Sequence, residues 1–418
     1  MTDFTLTYLR PKKAEVYRRI SGDYVDRTSD LQIDEHENVV LTPLGQLAGA
    51  STDSDLADVI IDDCDFCASI KESAPGAAVR INGRVLYGGY FRSQWGHFLM
   101  NTTSRLWPLF TGAIQGVDKI LFFSDNNQDF IPQRGNYREF LELAGILDKV
   151  VIVSEAVEVE SLIVPEMAFE HTRYFSMEAR AVFEAVRESA MELSPGEFSD
   201  KVFLTRSSLP GAARDEININ KLDELFLRNG YQIVSPEKVS LRQLINILNR
   251  AGHIASVSGS TAHNFVFAGR DAEFIIVERT AVVNVYQIGI DLICGISPIL
   301  IDAYRLPQIA PATGRLFLYG ATGQLEAFIS ARGWSGHTFD CNDKARKKEL
   351  SGFLKRYKRL YGYSTGIAEW EIGHSEAISE AYVESYAYYQ PWLERRVPVL
   401  LADYFSPVCL YRRLRGRR

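Results

Sequence analysis

The stretch that decides the fold is "VFLTRSSLPGAARDEININKLDELFLRNGYQIVSPEKVSLRQLINILNRAGHIASVSGSTAHNFVFAG", residues 202–269. "VFLT", "YQIVS" and "HIASV" are short apolar runs of the kind that fill a parallel sheet buried on both faces. Between them lie two amphipathic segments. "INKLDELFLRN" (219–229) is stopped by Gly230, and "SLRQLINILNRAG" (240–252) opens with a Ser240/Gln243 capping box and closes on Gly252. "STAHNFVFAG" reads as a further short helix, and "EFIIVE" (273–278) as the next strand. Strand and helix alternate, which specifies a doubly wound, Rossmann-like α/β unit. "RLFLYG" (315–320) is expected to extend its sheet.

Working outward, a second alternation precedes this one. "RVLYGG" (84–89), "KILFFS" (119–124) and "KVVIVS" (149–154) read as strands, and 96–111, 137–146 and 176–192 as helices. "ELSPGEFSD" (192–200) has the Pro, Gly and polar residues of a hinge. The expected fold class is α/β, with two Rossmann-like domains facing a cleft. The boundaries are 1–195, 196–340 and a helical, aromatic-rich segment over 341–418 that ends in a basic tail.

Composition narrows the function classes. The 418 residues are 46% hydrophobic and 24% charged, as in a globular protein, and a net charge of −7 argues against general nucleic-acid binding. Between Arg395 and Arg418, seven arginines face one acid, Asp403. This tail is either a contact for an anionic membrane surface or a solvated terminus. The N-terminus lacks the apolar core of a signal peptide, and the run at 288–301 is too short to span a bilayer and contains Asp291. The expected location is the cytoplasm, with peripheral attachment to the inner face of the plasma membrane as the role open to the tail. Cys64 and Cys67 have no companion pair that would complete a zinc site, and the Asp-x-Asp within "DDCD" (62–65) reads as a solvated acidic loop. No metal site is expected.

Chemistry is sought at the carboxyl ends of the strands, where open parallel sheets bind ligands. No G-x-G-x-x-G, P-loop or G-x-S-x-G is present, so dehydrogenase, P-loop and hydrolase readings lose their main support. Arg206 follows "VFLT", and Arg214 stands eight residues on; paired guanidinium groups match the oxygens of a diphosphate. Ser258, Gly259, Ser260 and Thr261 follow "HIASV" and open the next helix, where an anion meets free N–H groups. Glu278 ends "EFIIVE" and is placed for ribose or sugar hydroxyls. In the first half, His97, Asn101 and Arg105 recur every four residues on one face of a helix, while Phe98, Thr102, Leu106 and Leu109 run along another. Such a helix would bury one face and turn the histidine face to the cleft, where an imidazole suits a general base. The alternative is a core histidine.

Two ordered signatures, "GGYFRSQWGHFLMNTTSRLW" (88–107) and the segment 204–268, resemble those of glycosyltransferase family 61. The resemblance spans about residues 81–290 and implies a GT-B architecture. It also implies inverting, metal-independent transfer of a sugar from a nucleotide diphosphate donor, UDP-linked, to a glycan or lipid-linked acceptor in bacterial surface polysaccharide synthesis. No cofactor is implied. Arg206, Arg214 and the turn from Ser258 to Asn264 would hold the donor, and His97 would line the reaction side. Two positions depart from the family pattern. Ser258 stands where many members carry His, and Asn101 where many carry Asp or Glu. Asn cannot be a general base, which leaves His97, Glu170 or His171 for that role. The same departure keeps open a non-catalytic nucleotide- or sugar-binding scaffold in a polysaccharide assembly complex. A hydrolase acting on a sugar phosphate is a third reading.

Overall fold

The computed structural model describes residues 25–27, 31–43, 46–49, 59–60, 79–124, 135–170, 173–191, 199–269, 271–280, 284–304 and 316–336, with scattered positions between 339 and 356. The acidic "DDCD" segment, His171, most of the hinge segment and the basic tail lie outside them.

Two sheets organise the chain, and it is a mixed α/β protein. The first sheet has seven strands: β1 (Ile33–Leu41), β2 (Gln46–Gly49), β3 (Val59–Ile60), β4 (Val79–Tyr90), β5 (Lys119–Phe123), β6 (Val150–Val153) and β7 (Val157–Pro165), in the spatial order β3-β2-β1-β7-β4-β5-β6. Strands β7, β4, β5 and β6 run parallel, while β1, β2 and β3 add an antiparallel wing. The second sheet is wholly parallel: β8 (Lys201–Leu204), β9 (Gln232–Val234), β10 (His253–Val257), β11 (Glu273–Glu278) and β12 (Ile299–Asp302), ordered β9-β8-β10-β11-β12. The strand order reverses between β8 and β10, and this switch point opens a crevice at the carboxyl ends of those two strands.

The expected strand at 315–320 does not extend that sheet. Phe317–Leu318 instead pairs with Glu216–Ile217 in a separate two-stranded sheet. The edge belongs to β12, which comes from the apolar run that was too short for a membrane span. No helix among the described residues is long and apolar enough to cross a membrane.

Helices α1 (Asn136–Leu143) and α2 (Ala179–Ala190) serve the first half; α3 (Ile219–Arg228), α4 (Leu241–Arg250), α5 (Val285–Cys294) and α6 (Gly323–Arg332) serve the second. The period-2 alternation of the strands sorts them. Phe203, Ile275 and Val277 face α3 and α6, whereas Val202, Leu204, Phe274 and Ile276 face α4. This second face is continuous with the first sheet. One apolar cluster joins Leu86, Ile120, Phe140 and Phe183 to Leu244, Ile254 and Phe267. Phe267 meets Phe140 at 6.3 Å and Phe183 at 6.1 Å between ring centroids. Such edge-on and tilted aromatic contacts are favourable beyond their area.

Polar groups cross the same seam. The α4 N-terminus carries the Ser240–Gln243 capping box, with each side chain bonded to the other's backbone N–H. The Glu139 carboxylate of α1 then accepts from Leu241 N at 2.7 Å and Arg242 N at 3.0 Å, taking up two further unpaired amides. Asn246 Nδ2 donates to Ala190 O at the end of α2. Glu139→Ala should therefore lower stability by about 1–2 kcal/mol. Urea unfolding should show this as a lower midpoint at unchanged slope, and an unaltered midpoint would remove Glu139 as a joint between the halves.

Candidate active site

The first signature does not form the single helix expected over 96–111. Trp95–His97 makes one α turn, Phe98–Thr102 a π-helical turn, and Trp107–Thr111 a separate helix with Pro108 in its first turn. Local hydroxyls compete with the regular ladder: Thr103 Oγ1 donates to Leu99 O, and Thr102 Oγ1 to Tyr90 O. Pro108 has no N–H to continue the preceding turns.

This break corrects the three-residue polar stripe. His97 and Asn101 stay together, both half-buried, with His97 Nδ1 2.9 Å from Asn101 Oδ1. Arg105 turns away and is buried, donating to Pro165 O and lying 5.4 Å from the Tyr87 ring centroid. With Asn101 Oδ1 as the acceptor, a neutral His97 ring would carry its proton on Nδ1 and its lone pair on Nε2. Asn101 therefore does the orienting work of a carboxylate without its charge. Glu170, the other described candidate base, is in an ion pair with Arg173 at 2.8 Å.

The second signature supplies the opposite wall. Arg206 follows β8, and Ser258, Gly259, Ser260 and Thr261 follow β10, so both flank the switch point. Gly259 has φ +102°, which favours glycine. The segment that follows is a 3₁₀ helix, Ala262–Phe267, not an α-helix. Its first amide bonds back to the turn, Ala262 N to Gly259 O at 2.9 Å, and Thr261 makes no side-chain cap. The amides of Gly259, Ser260 and Thr261 themselves bond to nothing among the described residues.

Asn264 is buried, and its amide is already engaged. Oδ1 accepts from Trp95 Nε1 at 3.0 Å, and Nδ2 donates to Thr261 O at 2.8 Å. It ties the first signature to the second. Glu278 is buried at the end of β11, in register with Asp302 of β12. Arg214 lies in the short helix Pro210–Asp215.

Gly96 brings the walls together. A Cβ on it would stand 2.6 Å from His263 Nδ1 and 2.9 Å from Ser260 Oγ. Tyr286 of α5 closes the group: its ring centroid lies 5.0 Å from that of His97 and 6.3 Å from that of His263.

The sequence did not single out His263, Glu216 or Arg279. His263 is 4% exposed, and Asn284 Nδ2 lies 3.0 Å from its Nε2. Burial is the largest cause that pushes its pKa down to about 3, and the nearby Arg279 guanidinium acts in the same direction. This ring lies within electrostatic reach of both walls. Glu216 is buried and accepts from Arg206 Nε at 2.8 Å, Arg279 Nη1 at 3.1 Å and the Tyr319 hydroxyl at 2.9 Å. Burial and the Glu216 charge raise the Tyr319 pKa well above its usual value, so that hydroxyl stays a donor. The available signal for Arg279 was its place one residue beyond a strand end. For Glu216 nothing in the local pattern marked a buried carboxylate.

His263 gives a pH prediction. A histidine whose pKa falls on folding binds its proton more readily when unfolded. Its contribution is complete above about 6.5 and is lost as pH falls toward about 3, at up to about 1.4 kcal/mol per pH unit. Urea unfolding at pH 7 and pH 5 should show a smaller loss for His263→Gln than for the natural chain. Equal losses would show that the ring gains a proton without penalty.

Comparison with known proteins adds three findings. Residues 95–275, which hold both walls, match the family model described as Glycosyltransferase 61. No curated protein matches the chain. Among solved structures, the bacterial iron-containing dodecameric glycosyltransferase TibC from enterotoxigenic E. coli is 6% identical, covering 67% of this chain and 78% of that one at a TM-score of 0.25. A likeness that slight carries no argument.

Proposed function

We propose that this chain is a glycosyltransferase of family 61, on the match of residues 95–275 to that family's model, and we propose how it works and on what. It transfers a sugar from a nucleotide diphosphate donor, UDP-linked, to a hydroxyl of a glycan or lipid-linked acceptor, with inversion and without a metal ion. The two sheets act as the halves of a GT-B enzyme. The setting is bacterial surface polysaccharide synthesis at the cytoplasmic face of the membrane, which the arginine-rich tail would touch.

One observation carries the reading: the His97–Asn101 pair is seated, through Gly96, on the turn at the switch point of a parallel sheet. In the proposed reaction the donor diphosphate lies along Arg206, Arg214 and the turn from Ser258 to Thr261. Asn264 fixes that turn, and Glu278 lies behind it. His97 Nε2 takes the proton of the acceptor hydroxyl as its oxygen attacks the anomeric carbon. The bond to the diphosphate breaks on the opposite face, which inverts the centre. Charge growing on the departing phosphate is met by guanidinium groups and backbone amides already in place. Asn101 positions the imidazole and takes no proton, so its not being a carboxylate ceases to favour a non-catalytic scaffold.

UDP should raise the melting temperature of the natural chain, with EDTA making little difference. Arg206→Ala should abolish the shift. If UDP protects the variant as well as the natural chain, the phosphate site lies elsewhere. His97→Ala should cut kcat by about 10²–10⁴ while UDP still binds, and near-normal turnover would remove His97 as the base. Asn101→Asp should keep activity and move the acid limb of the pH–rate profile to higher pH, because a carboxylate favours the protonated ring. A profile that does not move would separate Asn101 from the titrating group.

A further inference from the structure

We propose that Arg279 is a second anion-binding arginine of the donor site, so that one phosphate group is gripped between Arg206, Arg279 and the amides after β10. The inference rests on the donor-site reading of the switch point and extends it to a residue from β11.

The argument begins with charge. Glu216 is buried, its side chain 2% exposed, and it accepts two guanidinium groups on a single oxygen, Oε1. Its other oxygen, Oε2, accepts the Tyr319 hydroxyl. One arginine and that hydroxyl would balance a buried carboxylate. The second guanidinium on the same oxygen sets two like charges side by side in a partly desolvated place, where they repel with little screening. Such an arrangement is stable when an anion completes it.

The geometry supplies the place for that anion. Arg206 and Arg279 side chains are 23% and 17% exposed, so each keeps an open side. Arg206 is held through Nε, and its two terminal nitrogens bond to nothing else among the described residues. Arg279 is held through Nη1 and rests on the Phe317 ring, 4.4 Å from its centroid. Its Nη2 lies over Gly259, 2.5 Å from where a Cβ would stand. That places it against the turn whose Gly259, Ser260 and Thr261 amides are unpaired among the described residues. Guanidinium and amide donors converge from three strand ends, β8, β10 and β11. Gly259 is glycine for two reasons: its φ of +102°, and the guanidinium that occupies the space of a side chain.

The test is isothermal titration of the full chain with UDP and with inorganic pyrophosphate, which has no base or ribose. Arg279→Ala should weaken both at least tenfold, as Arg206→Ala should. Arg279→Lys, which keeps the charge but not the fork, should fall between. Gly259→Ala, which leaves Arg279 in the sequence but displaces its guanidinium, should weaken pyrophosphate as Arg279→Ala does. Circular-dichroism melts establish that each variant is folded. Weakening by Arg206→Ala with natural affinity in Arg279→Ala and Gly259→Ala would overturn the proposal and leave the donor site standing. Failure of the natural chain to bind either probe, or natural affinity in Arg206→Ala as well, would overturn the donor-site reading and this inference with it.

Discussion

A methyl group on Gly96 would lie 2.6 Å from a buried imidazole nitrogen and 2.9 Å from the Ser260 hydroxyl, so the two signature segments meet only because position 96 has no side chain. The candidate site is assembled by that approach. It sets His97, the next residue, beside a turn contributed by a different sheet. The Trp95–Asn264 hydrogen bond fixes the contact on one side, and Tyr286, edge-on to His97, fixes it on the other. The core behind it is continuous across both sheets, with Phe140, Phe183 and Phe267 in mutual contact. Close packing of this kind transmits a displacement at one wall to the other.

The parallel sheet of the second half was legible because its strands are buried on both faces and its helices carry ordinary caps. Ser240 and Gln243 form the reciprocal box their spacing implies, and Gly230 ends α3 at φ +84°. The antiparallel wing of the first sheet was not legible. β1 and β7 run side by side although more than a hundred residues separate them, and no local pattern encodes that partner. The strand at 317–318 failed for a related reason. A short, mostly apolar run says that a strand exists but not which edge receives it, and here the partner is Glu216–Ile217.

Within the site, the sequence revealed residues that sit at strand ends and concealed residues that act through burial. Arg206 and the Ser258–Thr261 turn follow from position alone. Glu216 does not, because a carboxylate in "ARDEIN" looks solvated until tertiary packing closes over it. The stripe of His97, Asn101 and Arg105 was a correct observation with a wrong geometry. A period of four holds only while the helix is regular, and the π-helical turn at Phe98–Thr102 ends the register after Asn101. Arg105 then becomes a structural cation bonded to Pro165 O and set against Tyr87.

The neutral partner of His97 has an energetic consequence for the proposed reaction. A carboxylate in that place would orient the ring and also stabilise the imidazolium formed when the acceptor proton arrives. Asn101 does the first and not the second. The positive charge on His97 must then be offset from elsewhere in the site. His263 neither offsets that charge nor adds to it, since burial keeps it neutral down to about pH 3. Arg206 and Arg279 oppose the charge while no anion is bound. The group able to offset it is the diphosphate, whose negative charge increases as the glycosidic bond to it breaks. Proton acceptance at one wall and leaving-group departure at the other would then be coupled through the field between them. A chain with Asn in this position would thus depend on a bound donor to make its histidine an effective base.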